Sequence, residues 1–565
     1  MSRIGVFVCH CGINIAGVVD VERVAEEVGR HPDVVHAETY RYMCSDPGQQ
    51  LLRDAIGKHD LDGVVVAACS PSMHEKTFRR AVAAADMNAY RCEIANIREQ
   101  CSWVHANEPE QATEKSIEVT RSFVEKVAWN EELEPFSLPQ TKRALVVGGG
   151  IAGMQAALDV ANASFPVVLV EREELLGGKM AQLGGTYLNF SAAPGLLERK
   201  VEQVLDHPNI EVLTGARVAQ VDGYVGNFKA RIECGQACEE RDVGAIVIAT
   251  GWDSYSLKRL PEYGGGDIPD VVDSLTFEGM LREGAEIRRP SDGFVPREVV
   301  FVQCAGSRDP ERGVPYCSKV CCMVVAKQAM MFKERVPDGQ AYVFYIDIRS
   351  AGKGYEEYVQ QAMEDHDILY LRGKVSKIFR DKDKMMVWGV DTLSASPVEV
   401  AADLVVLATP MTPSEQAPEL AQTLRAAVDQ NGFFNEAHPK LRPVESLTAG
   451  VFLAGTAQGP KDIPETVAQA SGAAAKVLQM FSLDAMTQEP AVACVIEQLC
   501  AACGACVEAC PDGAREIHRL RHIATVNAAL CQNCGGCVAA CPNKASQVYN
   551  WTPKQVLAMV DVIVD

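Results

Sequence analysis

Two cysteine runs towards the carboxyl end carry the strongest chemical signal in this sequence of 565 residues. Cys500-x-x-Cys503-x-x-Cys506-x-x-x-Cys510-Pro is followed by Cys531-x-x-Cys534-x-x-Cys537-x-x-x-Cys541-Pro. Thiolates so spaced ligate two [4Fe-4S] clusters, the fourth cysteine of each run crossing to the other cluster. Cys500, Cys503, Cys506 and Cys541 are therefore expected to hold one cluster, and Cys531, Cys534, Cys537 and Cys510 the other. The tight turns leave backbone N–H groups facing the sulfurs, and each proline ends its run. A zinc site has no use for two such interleaved runs. Cys494 stands outside the pattern and reads as a buried thiol.

A second chemistry lies in LVVGGGIAGMQAALDV, where Gly148-x-Gly150-x-x-Gly153 follows an apolar strand and opens a helix. The glycines give a tight turn, close approach to a pyrophosphate and close helix–strand packing. The helix N-terminus adds free N–H groups and partial positive charge for the phosphates. The next strand, VVLVE, ends in Glu171, where a ribose hydroxyl would be gripped. An acid there disfavours a 2′-phosphate, so FAD or NAD is expected rather than NADP.

Two further cysteine groups are less decisive on spacing alone. Cys304 ends a strand, and Cys317, Cys321 and Cys322 follow in PYCSKVCCMVVAKQA. Cys317 and Cys321 would share a helix face, whereas Cys322 points about 100° away. A loop entering the helix, with Cys304 at the strand tip, could close all four around a cluster; packed free thiols fit the same spacing. Towards the amino end, Cys9 and Cys11 end one strand, Cys44 follows a second and Cys69 ends a third. Carboxyl ends of parallel strands gather on one sheet edge. These four could converge on a further cluster, with Cys101 as a fifth participant, or remain scattered thiols.

The elements that must position these residues follow from the apolar pattern. Residues 1–130 alternate short apolar runs (GVFVCHC, VVHAETYRYMC, DGVVVAAC, YRCEIAN) with helical stretches, which predicts a small α/β domain with a mainly parallel sheet. Polar, proline-bearing NEELEPFSLPQT reads as a linker. A domain over 141–485 repeats apolar strands at PVVLVE, AIVIATG, REVVFVQCAG, AYVFYIDI, LVVLATP and GVFLAG. The part from 490 to 548 is too short for a large core and must be stapled by its clusters. Its two halves repeat one cysteine spacing, an internal duplication.

Composition narrows the function classes. With 21 cysteines in a long chain that shows no signal peptide, metal ligation is the expected use of sulfur. The formal charge of -21 excludes a surface for nucleic acid, which needs clustered Lys and Arg. It serves solubility and steering towards basic partner patches. No run reaches the roughly 18–20 apolar residues that span a bilayer. The expected setting is the cytoplasm, with no transmembrane segment and no nucleic-acid partner.

Leu-Leu-Gly-Gly178-Lys179, Ala-Thr250-Gly251 and GVFLAGTAQG, with Gly455-Thr456, resemble the two-dinucleotide-domain flavoproteins that include thioredoxin reductase. That resemblance favours FAD, with Gly178, Lys179, Thr250, Gly251, Gly455 and Thr456 beside it. Gly455-Thr456 replaces the Gly-Asp that grips the flavin ribityl chain in that superfamily. The strand before Cys304 runs into Ala-Gly-Ser-Arg with no second glycine loop, so the nicotinamide site is read as lost. Cys234 and Cys238 are spaced by three, not two, so thioredoxin reductase activity is not expected.

CHCGINIAGVVDVERVAE, YMCSDPGQ, ACSPSMHE, ANIREQCSWVH, VVGGGIAGMQAALD, QCAGSRD, PYCSKVCCM and GPKDIPETVAQAS together resemble the flavin A-subunit family of heterodisulfide reductase, over essentially the whole chain. The implied fold is α/β throughout: a small α/β domain, a thioredoxin-reductase-like FAD domain pair and a two-cluster ferredoxin domain. The implied activity is that of an iron–sulfur flavoprotein oxidoreductase that bifurcates electron pairs at FAD, between ferredoxin and a disulfide-reducing partner. The implied partners are B/C-type disulfide-reductase subunits, ferredoxin, and an electron-donating hydrogenase, dehydrogenase or similar subunit, with room for a homodimer in the complex. Cys304, Cys317, Cys321 and Cys322 match the family's cluster motif beside the flavin. Lys327 matches a lysine near the reactive flavin edge, where a cation would stabilise anionic reduced flavin. By residue type alone it would be a solvated helix lysine.

The sequence also departs from the longer family members. Gly223–Lys229 leads into RIECGQACEERDVGAI without the inserted ferredoxin, and GTYLNFSAAPG lacks cysteines. The alternative reading is a non-bifurcating relay protein resembling the quinone-interacting oxidoreductases of sulfate reducers, against which the Cys500–Cys541 runs lean. A third, an assembly protein with structural clusters, is opposed by the intact ligand runs and glycine loop.

Overall fold

A computed structural model describes residues 2–188, 193–282 and 284–564. The chain forms two compact units, one made of residues 1–138 with 487–565 and the other of 139–486. In the first unit, four parallel strands stand in the order Val34–Tyr40, Ile4–Cys9, Gly63–Ala68, Cys92–Asn96. Ile4–Cys9 and Gly63–Ala68 are buried at every position. That is why they read as unbroken apolar runs rather than alternating ones. Asp20 and Ser45 accept backbone N–H groups at the starts of helices Val21–Gly29 and Asp46–His59, so each crossover begins with a capped turn.

The ferredoxin part of this unit is two short hairpin-like pairings, Ala493–Val495 with Ser546–Val548 and Arg515–His518 with Ile523–Val526. Its apolar core is small, as expected of a fold held by metal. A helix outside every sequence motif, Pro553–Val564, packs on helix Pro109–Ala128. Gln555 donates to Asn130 at 2.8 Å, and Asn550 bonds both the N–H and the C=O of Glu131. Lys126, fully buried and paired with Glu93, lies 4.3 Å from the Trp551 ring.

The second unit contains two sheets of the doubly wound kind. One is seven-stranded, with Ala144–Val147 between Val167–Val170 and Ala245–Ile248. The other is a parallel five-stranded sheet centred on Glu298–Val302, flanked by Leu404–Leu407 and Gln340–Tyr345. Each is accompanied by a three-stranded antiparallel sheet, at 216–243 and 375–402. Helices Ile151–Asn162 and Ile463–Phe481 pack together in the core of the first sheet. Asp462 and Glu465 form a reciprocal capping box at the start of the latter.

Two local expectations change. The segment expected as a linker contains the strand Phe136–Pro139. Helix Cys321–Arg335 begins at Cys321, so Cys317 lies in the preceding loop and shares no helix face with it. Of the cysteine-free segment GTYLNFSAAPG, residues 189–192 lie outside the described residues. Among the described residues no helix is long and apolar enough to cross a membrane.

Candidate functional site

The glycine loop turns where the first strand of the seven-stranded sheet gives way to helix Ile151–Asn162. Gly148 has φ 111°, and a Cβ there would sit 2.3 Å from the Ala249 carbonyl oxygen. A Cβ on Gly153 would fall 1.8 Å from the carbonyl oxygen of Gly148, so helix and loop are pressed together as the motif requires. At Gly150 the space is open: the nearest atom to an added Cβ is Gly178 Cα at 4.0 Å. No side chain caps this helix, which leaves its first N–H groups for an incoming anion.

Gly148, Gly150, Ile151 and Ala152 form one wall of a cavity of about 910 Å³, near the top of the range of roughly 300–1,000 Å³ usual for ligand pockets. Gly178, Lys179, Thr250, Gly251 and Thr456 also line it. The Thr250 hydroxyl is buried without a partner, a donor waiting for a ligand atom. Glu171 lines the cavity, accepting from the Gly149 and Glu173 N–H groups at 2.6 and 2.9 Å. Lys179 lies 3.9 Å from Asp253 and over the Trp252 ring. Gly455 is placed differently from expectation: it packs behind the wall, where a Cβ would meet Ala152 and Thr466 at 2.9 and 3.0 Å. A cradle of open glycine, free helix N–H groups and an orphan hydroxyl fits a flavin dinucleotide.

Lys327 reaches the same cavity from helix Cys321–Arg335 and is not a solvated lysine: it is 2% exposed. Its Nζ donates to Glu278 and to the Gly185 carbonyl, at 2.7 and 2.8 Å. Glu278 also accepts from Gln328 Nε2 and the Gly184 N–H, at 2.7 and 3.1 Å. Sequence reasoning did not find Glu278, which sits in helix Ser274–Met280 within no motif.

Cys321 lines the cavity one turn and a half before Lys327. Cys304, in a left-handed turn at φ 56° after its strand, and Cys322 join it in one cluster of buried side chains. Hydrogen bonding to Cys321 and the Arg308 guanidinium hold the Cys304 thiol below its ordinary value, against burial. Cys322 is lowered through the same neighbour, while Cys321, bonded to both, is raised. The Cys322 and Cys317 sulfurs accept the N–H groups of Arg349 and Lys319, at 3.4 and 3.2 Å. Three thiols therefore meet, and Cys317 stands in the loop that precedes the helix.

In the first unit, Cys9, Cys11, Cys44 and Cys69 gather at the carboxyl edge of the parallel sheet. They are close enough to perturb one another's ionisation. Burial pushes the Cys69 thiol up to about 12, with Arg98 opposing it. Arg98 Nη1 lies 3.5 Å from the Cys11 sulfur, and the Cys9 sulfur accepts the Cys11 and Met43 N–H groups at 3.3 and 3.4 Å. Arg98, which lies in the ANIREQCSWVH segment, is a cation at this centre whose role the sequence did not mark. Cys101 belongs elsewhere: fully buried, it bonds Ser116 on helix Pro109–Ala128.

The two ferredoxin runs repeat each other in conformation as in spacing. Ala502 and Asn533 are left-handed at φ 53° and 57°, and Gly504 and Gly535 at 85° and 74°. Cys500, Cys503, Cys506 and Cys541 surround one small pocket. The sulfurs of Cys500, Cys510 and Cys531 accept the N–H groups of Ala524, Ala514 and Ala493 at 3.2–3.4 Å. Thiolate donors with N–H groups aimed at them fit an iron–sulfur cluster. Among the described residues no three His, Cys, Asp or Glu side chains close on a single-ion position. A four-iron cluster holds its thiolates further apart than one ion does.

Two family models match: pyridine nucleotide-disulphide oxidoreductase over residues 142–284, and the 4Fe-4S dicluster domain over 499–545. The chain is 41% identical to the CoB–CoM heterodisulfide reductase iron-sulfur A-subunit 2 of Methanopyrus kandleri, covering 91% of each protein. It is 39% identical to the A-subunit of the H(2):CoB-CoM heterodisulfide,ferredoxin reductase of Methanothermobacter thermautotrophicus, covering 93% of this chain and 92% of that one. That alignment spans 608 positions against a chain of 565 residues, so the relative carries positions this chain lacks. Among solved structures, T. acidophilum thioredoxin reductase is 18% identical with a TM-score of 0.42, over 60% of this chain and 99% of its own.

Proposed function

This chain belongs to the A-subunit family of heterodisulfide reductase, and from that premise we propose that it is the electron-bifurcating component of a larger disulfide-reducing complex. It is a flavin- and iron–sulfur-containing electron-transfer oxidoreductase. The observation that carries the finer reading is a shared wall: Gly150, Lys327 and Cys321 line the same cavity. A flavin seated there would be within reach of both a buried cation and the thiols of a cluster site.

Bound FAD would supply the exchange between electron pairs and single electrons, and bound clusters the single-electron steps. The chain's own residues set the terms of that exchange. Gly148 and Gly150 would bring backbone against the pyrophosphate, Gly153 keeps the helix pressed to the loop, Glu171 orients the loop through Gly149, and Thr250 offers its hydroxyl. Lys327 holds positive charge in a dry site, where Coulomb attraction for negative charge is far stronger than in water. Glu278 fixes that ammonium group and balances its charge. Cys304, Cys317, Cys321 and Cys322 would hold a cluster beside the flavin; Cys9, Cys11, Cys44 and Cys69 would hold one at the amino-terminal sheet. With the ferredoxin pair this makes four.

The partners we propose are disulfide-reductase subunits of B/C type, ferredoxin and an electron-donating hydrogenase or dehydrogenase; the M. thermautotrophicus relative carries ferredoxin and heterodisulfide in its name. The test is anaerobic purification with partners, flavin and iron analysis, and potentiometric EPR. One FAD, about 16 irons (four per cluster) and widely crossed one-electron flavin potentials are expected. Uncrossed potentials, with clusters near a single value, would make the protein a plain relay.

A further inference from the structure

The duplication in the ferredoxin part brings two equivalent positions face to face with unlike residues. Arg515 lies five residues after Cys510, and Ser546 five residues after Cys541. Arg515 Nη2 donates to Ser546 Oγ, so the pair joins the two halves of the repeat. Arg515 is 4% exposed, and its Nε and Nη1 are buried without a partner. Among the described residues no carboxylate pairs with it. A buried guanidinium with two idle donors is costly unless something negative stands beside it.

What stands beside it is sulfur. Arg515 lines the pocket surrounded by Cys500, Cys503, Cys506 and Cys541. Its charge also reaches Cys537 of the second set, to which Ser546 bonds. Four thiolates around a four-iron cluster carry net negative charge in either oxidation state, and more when reduced. A fixed cation therefore favours the reduced form, and net charge and hydrogen bonds to sulfur are the levers that set such potentials. The backbone of the repeat is symmetric; the charge at its centre is not.

We propose that Arg515 is a potential-setting residue: its buried guanidinium raises the reduction potentials of the ferredoxin pair, most for the cluster of Cys500, Cys503, Cys506 and Cys541. The inference rests on the reading that the two runs hold clusters. One member of the pair thereby becomes the resting place of a single electron, and the other the exit or entry port.

The test is potentiometric EPR on the full chain with R515K, R515Q, R515L and S546A. Spin-coupled signals identify the ferredoxin pair. The expected result is a downward shift of at least one midpoint of that pair in R515Q and R515L. R515K should stay nearer the parent protein, and S546A, which keeps the charge, should show no fall. Midpoints equal in R515K, R515Q and the parent protein would overturn the proposal. Loss of the pair in all three Arg515 variants with flavin retained would assign the residue to cluster assembly and equally overturn it. A parent protein with no spin-coupled pair would instead remove the cluster reading itself.

Discussion

Lys327 Nζ lies 2.7 Å from Glu278 Oε2, and the two side chains are 2% and 1% exposed. A pair this dry is not a stabilising ornament. Desolvating both charges costs as much as their attraction returns, whereas removing one partner strands the other. Lys327→Met should therefore destabilise the flavin unit by about 3–5 kcal/mol, read as a lower temperature of flavin release. The double variant Lys327→Met/Glu278→Met should recover much of that loss. The flavin midpoint should fall most in Lys327→Met, which leaves the Glu278 carboxylate unbalanced, and less in the double variant, which removes both charges. A midpoint unchanged in Lys327→Met would detach the lysine from the flavin.

Gly150→Ala and Gly153→Ala look alike in sequence and should fail differently. At Gly150 an added methyl meets no protein atom closer than 4.0 Å, but it projects from the loop that would take the pyrophosphate. At Gly153 it would fall 1.8 Å from a carbonyl oxygen of the loop itself. Gly150→Ala is expected to fold with normal circular dichroism and thermal unfolding while flavin occupancy drops at least tenfold. Gly153→Ala should lose stability together with flavin. Equal flavin content in Gly150→Ala and the parent chain would move the dinucleotide elsewhere.

Iron analysis separates ligands from packed thiols. Cys69→Ser should lose about four irons, one cluster's worth, and Cys101→Ser should lose none, because Cys101 sits apart against Ser116. Cys317→Ser should lose about four although its sulfur stands outside the trio of Cys304, Cys321 and Cys322. Retention of all iron in Cys317→Ser would mean that another group closes that centre.

The glycine loop and the ferredoxin runs were legible in the sequence because each is a local motif, with its chemistry and its geometry written in one short stretch. Cys304 with Cys321 and Cys322 was half legible: the spacing named the residues, but only the start of the helix at Cys321 decided which thiols it carries. Glu278 and Arg515 were not legible, and Arg98, although inside the ANIREQCSWVH segment, was not marked as a neighbour of sulfur. Each is an ordinary charged residue brought to a sulfur or an ammonium group by packing between distant segments, and nothing in its neighbours' spacing marks it. The helix Pro553–Val564 escaped for a related reason: it carries no motif, and its place is set by packing on helix Pro109–Ala128.

Gln555 meets Asn130 across 425 positions of chain. Contacts of such separation are the last to be found, since the loop must close before the contact rewards it. During synthesis the amino-terminal sheet emerges long before the segment that covers Lys126 exists. Lys126 and Glu93 are expected to stay wetter until the segment bearing Trp551 packs over the ammonium group. A chain halted within that unit would present an open flank to the proteases and chaperones that patrol nascent proteins. Closure of the iron-binding half is thereby tied to a segment made after the whole flavin unit.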